Sequence, residues 1–195
     1  YKKKAQDRAE ELTSPLMSAL VADCIERRRD LNDGGARWPF NHGVAGMGIG
    51  VTADSLMAIR RFVYDEKRFT LAELRRMLDV DFKGSENERQ LLLKDAPKYG
   101  NDNPDVDGIA GRVTIDFGNE CLKYRTPPGG HYWALMAANV SNIWAGADVG
   151  ASADGRRARQ PLSDAASPTF GRDKRGPTAV LRSVAYYDAS NTPKT

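Results

Sequence analysis

The feature that most constrains this chain is a segment of about thirty residues rich in Gly, Pro, Ser, Asp and Arg. It follows an apolar run that begins at Ala138 and precedes a predicted helix that ends at Ala185. Loops longer than about 12–15 residues are uncommon in compact domains and are usually functional or disordered. This segment is not of low complexity, because Val149, Leu162 and Phe170 interrupt it. We therefore interpret it as an ordered loop that carries function.

Composition and charge exclude several classes of protein. A chain of 195 residues is long enough for one domain or for part of a larger one. The net charge of +3 comes from Lys and Arg interleaved with acids, whereas a nucleic-acid groove needs a clustered basic stripe with aromatic residues. No apolar run approaches the roughly 18–20 residues that span a bilayer, and the charged start is unlike a signal peptide. We expect no nucleic acid and no membrane as partners.

The two cysteines, Cys24 and Cys121, are too few for a disulfide framework or for a Cys-rich metal site. They favour a reducing compartment, and we expect a cytoplasmic protein. Both lie on predicted apolar helix faces, so we interpret them as small core side chains rather than reactive thiols. His42 and His131 have no partner at metal-ligand spacing, and we expect no metal site.

The first predicted helix begins at Ser14-Pro15, which supplies an N-cap and a proline at the first helical position. It is expected to end near Gly34-Gly35. Its apolar residues recur at helical spacing and predict one packed face. These residues are Met17, Leu20, Val21, Cys24 and Ile25.

Helix signals recur along the rest of the chain. A helix is expected to begin near Thr52, and 70–73 and 85–88 each match a capping box that opens a short helix. A long amphipathic helix is predicted from Asp105 to Tyr124. The last helix begins at 176–178, with a buried side formed by Val180, Leu181 and Val184.

Two segments are expected to be strands. Residues 36–42 are short and extended, and 131–140 are apolar without clean alternation, as in a strand covered on both faces. Strands that alternate with helices suggest parallel strands joined by helical crossovers, and hence a helix-rich α/β fold. The glycines at 46, 48 and 50 do not indicate a dinucleotide site, because the third spacing is wrong and the preceding segment is polar.

Three motifs carry a resemblance to a known family. The run NVSNIWAGADVGASADGRRARQPLSDAASPTFGRDKRGPTAVLRSVA is similar to the late barrel segment of glycyl radical enzymes, the pyruvate formate-lyase-like family. Upstream, LLLKDAPKYGNDNPDVD and SALVADCIERRRDLNDGGARWPF resemble the same family in the same order. The resemblance covers the chain from about Ser14 to Asp188.

The resemblance implies that the chain is a single segment, 1–195, of a ten-stranded α/β barrel of the pyruvate formate-lyase type. Residues 1–12 would be a charged helical lead-in, and 189–195 a flexible tail. In this family one finger loop carries a cysteine that becomes a thiyl radical, and another carries the glycine that stores the radical. Both would lie outside this chain, so we expect no catalytic residue and no directly bound cofactor here.

The implied function is that of a fragment of a glycyl radical lyase, dehydratase, decarboxylase or formate acetyltransferase, which cleaves C–C, C–O or C–N bonds of a small organic substrate. The implied partners are the remainder of its own polypeptide, a second copy in a homodimer and the substrate. A separate iron–sulfur, S-adenosylmethionine-dependent activase would install the radical. The alternative is a non-catalytic binding or scaffold domain derived from the same barrel.

The resemblance also suggests positions that line a substrate pocket, since the strands at 40–42 and 131–139 face the barrel interior in relatives. The candidates are Phe40, His42, His131, Tyr132 and Asn139. Core packing and strand-end hydrogen bonding are equally good interpretations of these residues.

A second set of candidates lies in the long loop, where acidic and basic residues alternate at short range. The set comprises Asp154, Arg156, Arg157, Arg172 and Asp173. A buried arginine requires a paired carboxylate. We therefore interpret the set first as an ion-pair network that fixes the loop, and second as contacts to the substrate or to a finger loop.

Overall fold

The computed structural model describes residues 11–126 and 129–186. The chain divides into two compact units, which are described separately below. The first unit comprises Tyr1–Val44 and Gly118–Ala134, and the second comprises Ala45–Phe117 and Leu135–Thr195. Most of the expected lead-in at 1–12 and all of the expected tail at 189–195 lie outside the described residues.

The described elements are mainly helices, with two short strands between them. In chain order they are α1 (Pro15–Leu20), α2 (Cys24–Arg27), β1 (His42–Ala45), α3 (Ile49–Ile59), α4 (Leu71–Asp79), α5 (Glu86–Lys94), α6 (Pro104–Leu122), β2 (Tyr132–Leu135), α7 (Ser141–Ala147) and α8 (Pro177–Ala185). A single 3₁₀ turn covers Leu31–Asp33, and α3 continues into a π-helical turn at Arg60–Asp65.

In the first unit, the prediction of one helix from Ser14 to the glycine pair is wrong. The helix stops after one and a half turns because Val21 is extended and Asp23 is left-handed, with φ of 74°. Asp30 ties the start of α1 to the 3₁₀ turn, since its carboxylate accepts hydrogen bonds from the Ser14 N–H and the Ser18 hydroxyl, both at 2.8 Å. A hydrogen bond from the Asn32 N–H, together with those from Ser18 and Ser14, lowers the pKa of Asp30.

The predicted packed face of this helix is also wrong, because the break at Val21 removes the common stripe. Cys24 is buried, as expected, but Leu16 is 75% exposed and Leu20 is 76% exposed. Met17 and Ile25 are exposed as well. The described part of the first unit therefore leaves a row of large apolar side chains uncovered.

Strands β1 and β2 form a two-stranded sheet. The His42 N–H donates to the His131 carbonyl at 2.9 Å, and the Gly46 N–H donates to the Leu135 carbonyl at 3.0 Å. Because both partners advance by four residues in the same direction, the strands are parallel, as predicted. Both strands are shorter than expected, since 36–41 are turns and bends and 136–139 are irregular.

In the second unit, α3 begins at Ile49, three residues earlier than predicted. Its first turn is capped by Ser163 of the long loop, whose hydroxyl accepts from the Val51 N–H at 3.3 Å and whose carbonyl accepts from the Gly48 N–H at 2.9 Å. Gly50 allows this approach, because a Cβ there would lie 3.0 Å from the Ser167 carbonyl oxygen. The glycines therefore serve helix–loop packing.

Two apolar clusters form the core of the second unit. One joins the end of α3 to α4, α5 and the long loop, and its buried members are Ala58, Phe62, Leu74, Phe82, Leu92, Ala96 and Ala153. The other joins the start of α3 to α6, and its buried members are Ile49, Ala53, Met57, Tyr99, Val106 and Ala110. The apolar face predicted for α6 is thus confirmed at Val106, and Cys121 is buried as expected.

The two predicted capping boxes have different outcomes. At α4 the Thr70 hydroxyl accepts from the Glu73 N–H, and the Glu73 carboxylate accepts from the Thr70 N–H at 2.7 Å, so this box is confirmed. At α5 the prediction is wrong, because the Ser85 side chain makes no cap hydrogen bond. Glu86, one residue further on, instead pairs with Arg89 at 2.6 Å.

In the last third of the chain, the structure differs from two predictions. The apolar run after Ala138 is not a strand, because β2 already ends at Leu135 and the Asn139 Oδ1 accepts from the Ser141 N–H at the start of α7. In α8 the side chain of Leu181 is exposed rather than buried, and Ala179 and Ser183 face the core instead. Within the described ranges, no helix combines the length and apolar character needed to cross a membrane.

Candidate functional site

The first-unit candidates lie around the parallel sheet. Phe40 precedes β1 in a left-handed conformation, with φ of 62°. Its ring packs on Gly34, where a Cβ would lie 2.7 Å from the Phe40 Cζ. Its carbonyl accepts from the Thr126 hydroxyl at 2.9 Å. A bulky residue with positive φ is strained, and such strain is often found at functional sites.

His42 and Tyr132 come together on one face of the sheet. The hydrogen bond from His42 N–H to the carbonyl of residue 131 makes His42 and Tyr132 lateral neighbours in a parallel pair. Their rings meet edge to face, with centroids 5.7 Å apart. Both are half-buried, so this pair offers a polar and aromatic surface at the strand starts.

His131 points to the opposite face, because successive strand residues alternate. Its backbone N–H donates to the Asn41 side chain at 2.8 Å. Its Nδ1 atom is buried and has no hydrogen-bond partner among the described residues. A buried unpartnered ring nitrogen is uncommon and requires a partner such as water or a ligand.

Asn139, the fifth candidate, belongs to the second unit and is exposed. Its N–H donates to the Asp164 carboxylate at 3.1 Å, and its side chain accepts from the Ser141 N–H at 2.8 Å. The residue therefore organises the turn into α7. This geometry supports a structural interpretation of Asn139.

The long loop, residues 148–176, is ordered and lies against α3 and α5 in the second unit. Gly155 lies close to α5: its φ is +90°, and a Cβ there would lie 3.0 Å from the Arg89 carbonyl oxygen and from the Leu93 nitrogen. Any other residue would be strained and would collide with backbone. A glycine at this position is therefore required by the packing.

Asp154, beside that glycine, is fully buried. Its Oδ1 accepts from the Ser152 hydroxyl at 2.6 Å and from the Arg156 N–H at 3.2 Å. Its Oδ2 lies 3.7 Å from Arg172 Nη2. One carboxylate thus connects two distant parts of the same loop.

Arg156 contradicts the expectation that a buried arginine needs a paired carboxylate. Its side chain is 2% exposed, yet it forms no salt bridge within the described ranges. Its guanidinium donates to the Gln160 carbonyl at 2.7 Å, to the Arg157 carbonyl at 3.2 Å and to the Gly150 carbonyl, and its Nε donates to the Ser152 hydroxyl. Carbonyl dipoles replace the carboxylate, and burial lowers the pKa of Arg156.

Arg157 is half-exposed and connects the loop to the start of α5. It lies 2.6 Å from the Glu86 carboxylate and 3.7 Å from that of Asp81, and it also donates to the Asp81 carbonyl at 2.8 Å. Glu86 also accepts hydrogen bonds from Arg89 and Gln90. These two bonds, with the positive charges of Arg89 and Arg157, lower the pKa of Glu86 to about 2. Arg157 therefore forms ion pairs with carboxylates, whereas the neighbouring Arg156 forms none among the described residues.

Arg172 extends from the end of the loop to the backbone of α5. It donates to the Leu93 carbonyl at 3.2 Å and to the Asp154 carbonyl at 3.4 Å, in addition to its ion pair with the Asp154 carboxylate. Asp173 is exposed. Of the five loop candidates, Asp154 contacts both Arg172 and the Arg156 backbone N–H. The Arg157 side chain points to Glu86 instead, and Asp173 is exposed.

Sequence reasoning missed two charged residues that complete this region, Asp54 on α3 and Lys98 after α5. Asp54 is fully buried, and its Oδ1 accepts from the Tyr99 N–H at 2.8 Å. Lys98 is 8% exposed and donates to the Leu92 carbonyl at 2.7 Å and to the Asp154 carbonyl at 3.3 Å. The sequence did contain one signal for this site: Asp54, directly after Ala53, is an acid within the apolar stretch of α3.

The described residues contain no group of three or more His, Cys, Asp or Glu side chains arranged to hold a metal ion. The first unit offers the strand starts that bear His42 and Tyr132. The second unit offers a long loop fixed by buried charges. This is the class that the fold defines: a helix-rich α/β section with parallel strands and an anchored late loop.

The chain belongs to the pyruvate formate lyase-like family, whose model matches residues 5–146. It is 39% identical over 184 residues to trans-4-hydroxy-L-proline dehydratase of Clostridioides difficile, covering 94% of this chain and 23% of that protein. It is 36% identical over 182 residues to isethionate sulfite-lyase of Bilophila wadsworthia, covering 91% of this chain and 21% of that protein.

Solved structures agree with these relationships. The hydroxyproline dehydratase of C. difficile, solved with its substrate bound, superposes with a TM-score of 0.85 at 39% identity, covering 95% of this chain and 23% of that one. A glycyl radical enzyme from Archaeoglobus fulgidus superposes with a TM-score of 0.85 at 31% identity, covering 97% and 24%. The expected fold, part of a pyruvate formate-lyase-type barrel, is confirmed. The chain spans about a quarter of the length of these relatives.

Proposed function

We propose that this chain forms part of the barrel wall of a glycyl radical enzyme of the dehydratase or lyase type, which cleaves a bond in a small organic substrate. The observation that supports this most is the match of more than nine-tenths of the chain to a dehydratase and to a sulfite-lyase. Both relatives break a bond to carbon, according to their names.

In this proposal the reacting atoms belong to polypeptide outside the chain. A glycyl radical, installed by an iron–sulfur, S-adenosylmethionine-dependent activase, would supply the radical chemistry. The two cysteines do not suit a reactive role, since both are buried and burial raises the pKa of Cys121. The chain's contribution is enclosure, because a closed site excludes water from reactive intermediates.

Within the wall, we assign the His42–Tyr132 face of the sheet to the substrate pocket. The pair is half-buried and combines an imidazole and a phenol at the strand starts. His131 faces the other way, and its unpartnered Nδ1 atom suits a bound water or a second polar contact. Phe40 supports this assignment indirectly, since its strained turn sets where β1 begins.

The proposed class is tested by electron paramagnetic resonance after anaerobic activation. The full-length polypeptide that contains residues 1–195 is incubated with activase and S-adenosylmethionine, with the C. difficile hydroxyproline dehydratase as the positive control. We expect a glycyl doublet from the full-length polypeptide and no doublet from residues 1–195 alone. A doublet from the isolated chain, or none from the full-length polypeptide beside an active control, contradicts the proposal.

The pocket assignment is tested in the same full-length polypeptide. We expect Tyr132→Phe and His42→Gln to raise KM or lower kcat by about tenfold, the size of one lost polar contact of about 1.4 kcal/mol. The control is Tyr124→Phe, because the Tyr124 side chain is exposed and its hydroxyl donates to Glu120 near the end of α6. An equal effect of all three substitutions would assign the loss to stability rather than to substrate binding.

A homodimer of the full-length polypeptide and a cytoplasmic location stay predictions from the resemblance. If the chain is instead a non-catalytic scaffold domain, the full-length polypeptide should give no glycyl doublet while the control enzyme does.

A further inference from the structure

Four charged residues in the second unit, three of them buried and one partly buried, form a cluster that the proposed function does not use. The buried charge cluster consists of Asp54 on α3, Lys98 after α5, and Asp154 and Arg172 at opposite ends of the long loop. Asp54 and Asp154 are fully buried, and Lys98 is 8% exposed. The cluster thus connects the helical core to both ends of residues 148–176.

Asp54 has the least complete set of partners in the cluster. Its Oδ1 accepts one hydrogen bond, from the Tyr99 N–H, whereas its Oδ2 is buried and has no partner within the described ranges. No described cation forms a salt bridge with it. A buried carboxylate in this situation is strongly disfavoured in its ionised form.

The two cations of the cluster are committed elsewhere. Lys98 donates to the carbonyls of Leu92 and Asp154. Arg172 donates to the Leu93 carbonyl and pairs with the Asp154 carboxylate at 3.7 Å. Ionisation of Asp54 would therefore add a second buried negative charge near Asp154 without a direct counter-ion.

We propose that the buried charge cluster is a proton-binding site, in which the proton on Asp54 holds the long loop closed and its loss promotes opening of the loop. Opening removes Asp154 and Arg172 from the cluster and admits water to the Asp54 carboxylate. The ligand of this site is the proton itself. The inference does not depend on the proposed enzymatic function.

The electrostatics of the cluster agree with this geometry. Burial raises the pKa of Asp54 from its ordinary 3.8 to about 7, with the nearby charge of Asp154 acting in the same direction. The positive charges of Lys98 and Arg172 and the Tyr99 N–H oppose this rise. Because the pKa of Asp54 is raised in the closed state, the proton stabilises that state fully below pH 3.8. This stabilisation is lost as the pH rises to about 7.

The test is native-state hydrogen exchange of residues 148–176, measured between about pH 5.5 and about pH 8 and corrected with an unfolded reference for the intrinsic pH dependence. If opening fully hydrates Asp54, the opening equilibrium constant rises about 30-fold over this range. We expect the rise to level off above the pKa of Asp54, and helix α6 to show a smaller change.

Three variants separate the site from general effects. Asp54→Asn keeps the side-chain volume and the acceptor for Tyr99 and should flatten the pH dependence. Lys98→Met removes the strongest charge that favours ionised Asp54 and should move the midpoint to higher pH. Asp148→Asn, an exposed change at the start of the same loop, should retain the wild-type profile.

The proposal is overturned if Asp54→Asn keeps the wild-type pH dependence, or if wild-type exchange in the loop shows none after correction. It is also overturned if the midpoint of Lys98→Met falls instead of rising. If Asp54→Asn does not fold, the direction of the Lys98→Met shift decides the outcome alone.

Discussion

Arg156 and Arg157 are adjacent in sequence, and their different partners allow a sharp prediction about stability. We consider the substitutions Arg156→Met and Arg157→Met, which remove the same charge and keep a long side chain. Arg156 is buried among carbonyl groups, whereas Arg157 is 38% exposed in an ion pair. We expect the first substitution to be severe and the second to be mild.

The cost of Arg156→Met follows from four lost hydrogen bonds to one hydroxyl and three carbonyl groups. A buried acceptor left without a donor costs about 1–3 kcal/mol. Some of the carbonyls lie close enough to the surface to bind water, so we discount the sum. We expect a loss of about 3–5 kcal/mol in the free energy of unfolding.

The cost of Arg157→Met is smaller because its partners, Glu86 and Asp81, are 49% and 43% exposed and remain hydrated. Exposed ion pairs contribute about 0.2–1 kcal/mol. The hydrogen bond to the Asp81 carbonyl adds about 1 kcal/mol. We expect a loss of about 1–2 kcal/mol, which salt should reduce further because it screens the ion pair.

Urea unfolding of the wild type and of both variants, at about 0.05 M and about 0.5 M NaCl, measures these differences. Salt should reduce the difference in the free energy of unfolding between Arg157→Met and the wild type. It should leave the difference between Arg156→Met and the wild type unchanged. The reasoning is refuted if Arg157→Met costs as much as Arg156→Met, or if the effect of Arg156→Met is the one that salt reduces.

Two further pairs of substitutions test the packing of the second unit by thermal unfolding. Gly50→Ala should lower the free energy of unfolding by about 1–3 kcal/mol, because its Cβ would press on the loop backbone at 3.0 Å. Gly108→Ala should instead stabilise α6 by about 0.5–1 kcal/mol, since no atom lies within 4 Å of a new Cβ there. Thr70→Ala should lower the free energy of unfolding by about 1 kcal/mol, because it removes a complete capping box. Ser85→Ala should be close to neutral, since that hydroxyl makes no cap hydrogen bond. Equal losses of stability within either pair would contradict these packing and capping roles.

Features encoded by neighbouring residues were predicted well from the sequence. The Thr70 box and the apolar face of α6 depend on contacts three or four residues apart, which the spacing of residue types reveals. The ordered character of the long loop was also predicted, but not for the reason given, since Val149 is 41% exposed and Phe170 is 82% exposed. Buried polar side chains such as Asp154 fix the loop instead. The parallel order of the strands followed from the helical segment that separates them.

Features set by distant residues were not predictable. The start of α3 depends on Ser163, which is far away in sequence. The first helix ends early where Val21 is extended, and the Asp30 carboxylate, which is distant in sequence, bonds back to Ser14 and Ser18. Local periodicity favoured one continuous helix because it contains no information about such competition.

The site shows the same limit. A sequence containing Asp154 and Arg156 suggests an ion pair, but the partner of Arg156 turned out to be the peptide backbone, which has no sequence signature. Asp54 and Lys98 were overlooked because each is a single charged residue without a local partner. Their importance comes only from tertiary packing, which places both next to the loop.

The serine that caps α3 has a consequence for biosynthesis. Ser163 is made 112 residues after Val51, whose N–H it accepts. At a translation rate of about 5–20 residues per second, the first turn of this helix waits for about 6–20 s before its cap leaves the ribosome. During that interval the nascent helix is open at its amino end, so the second unit completes its fold only after most of its chain has been synthesised.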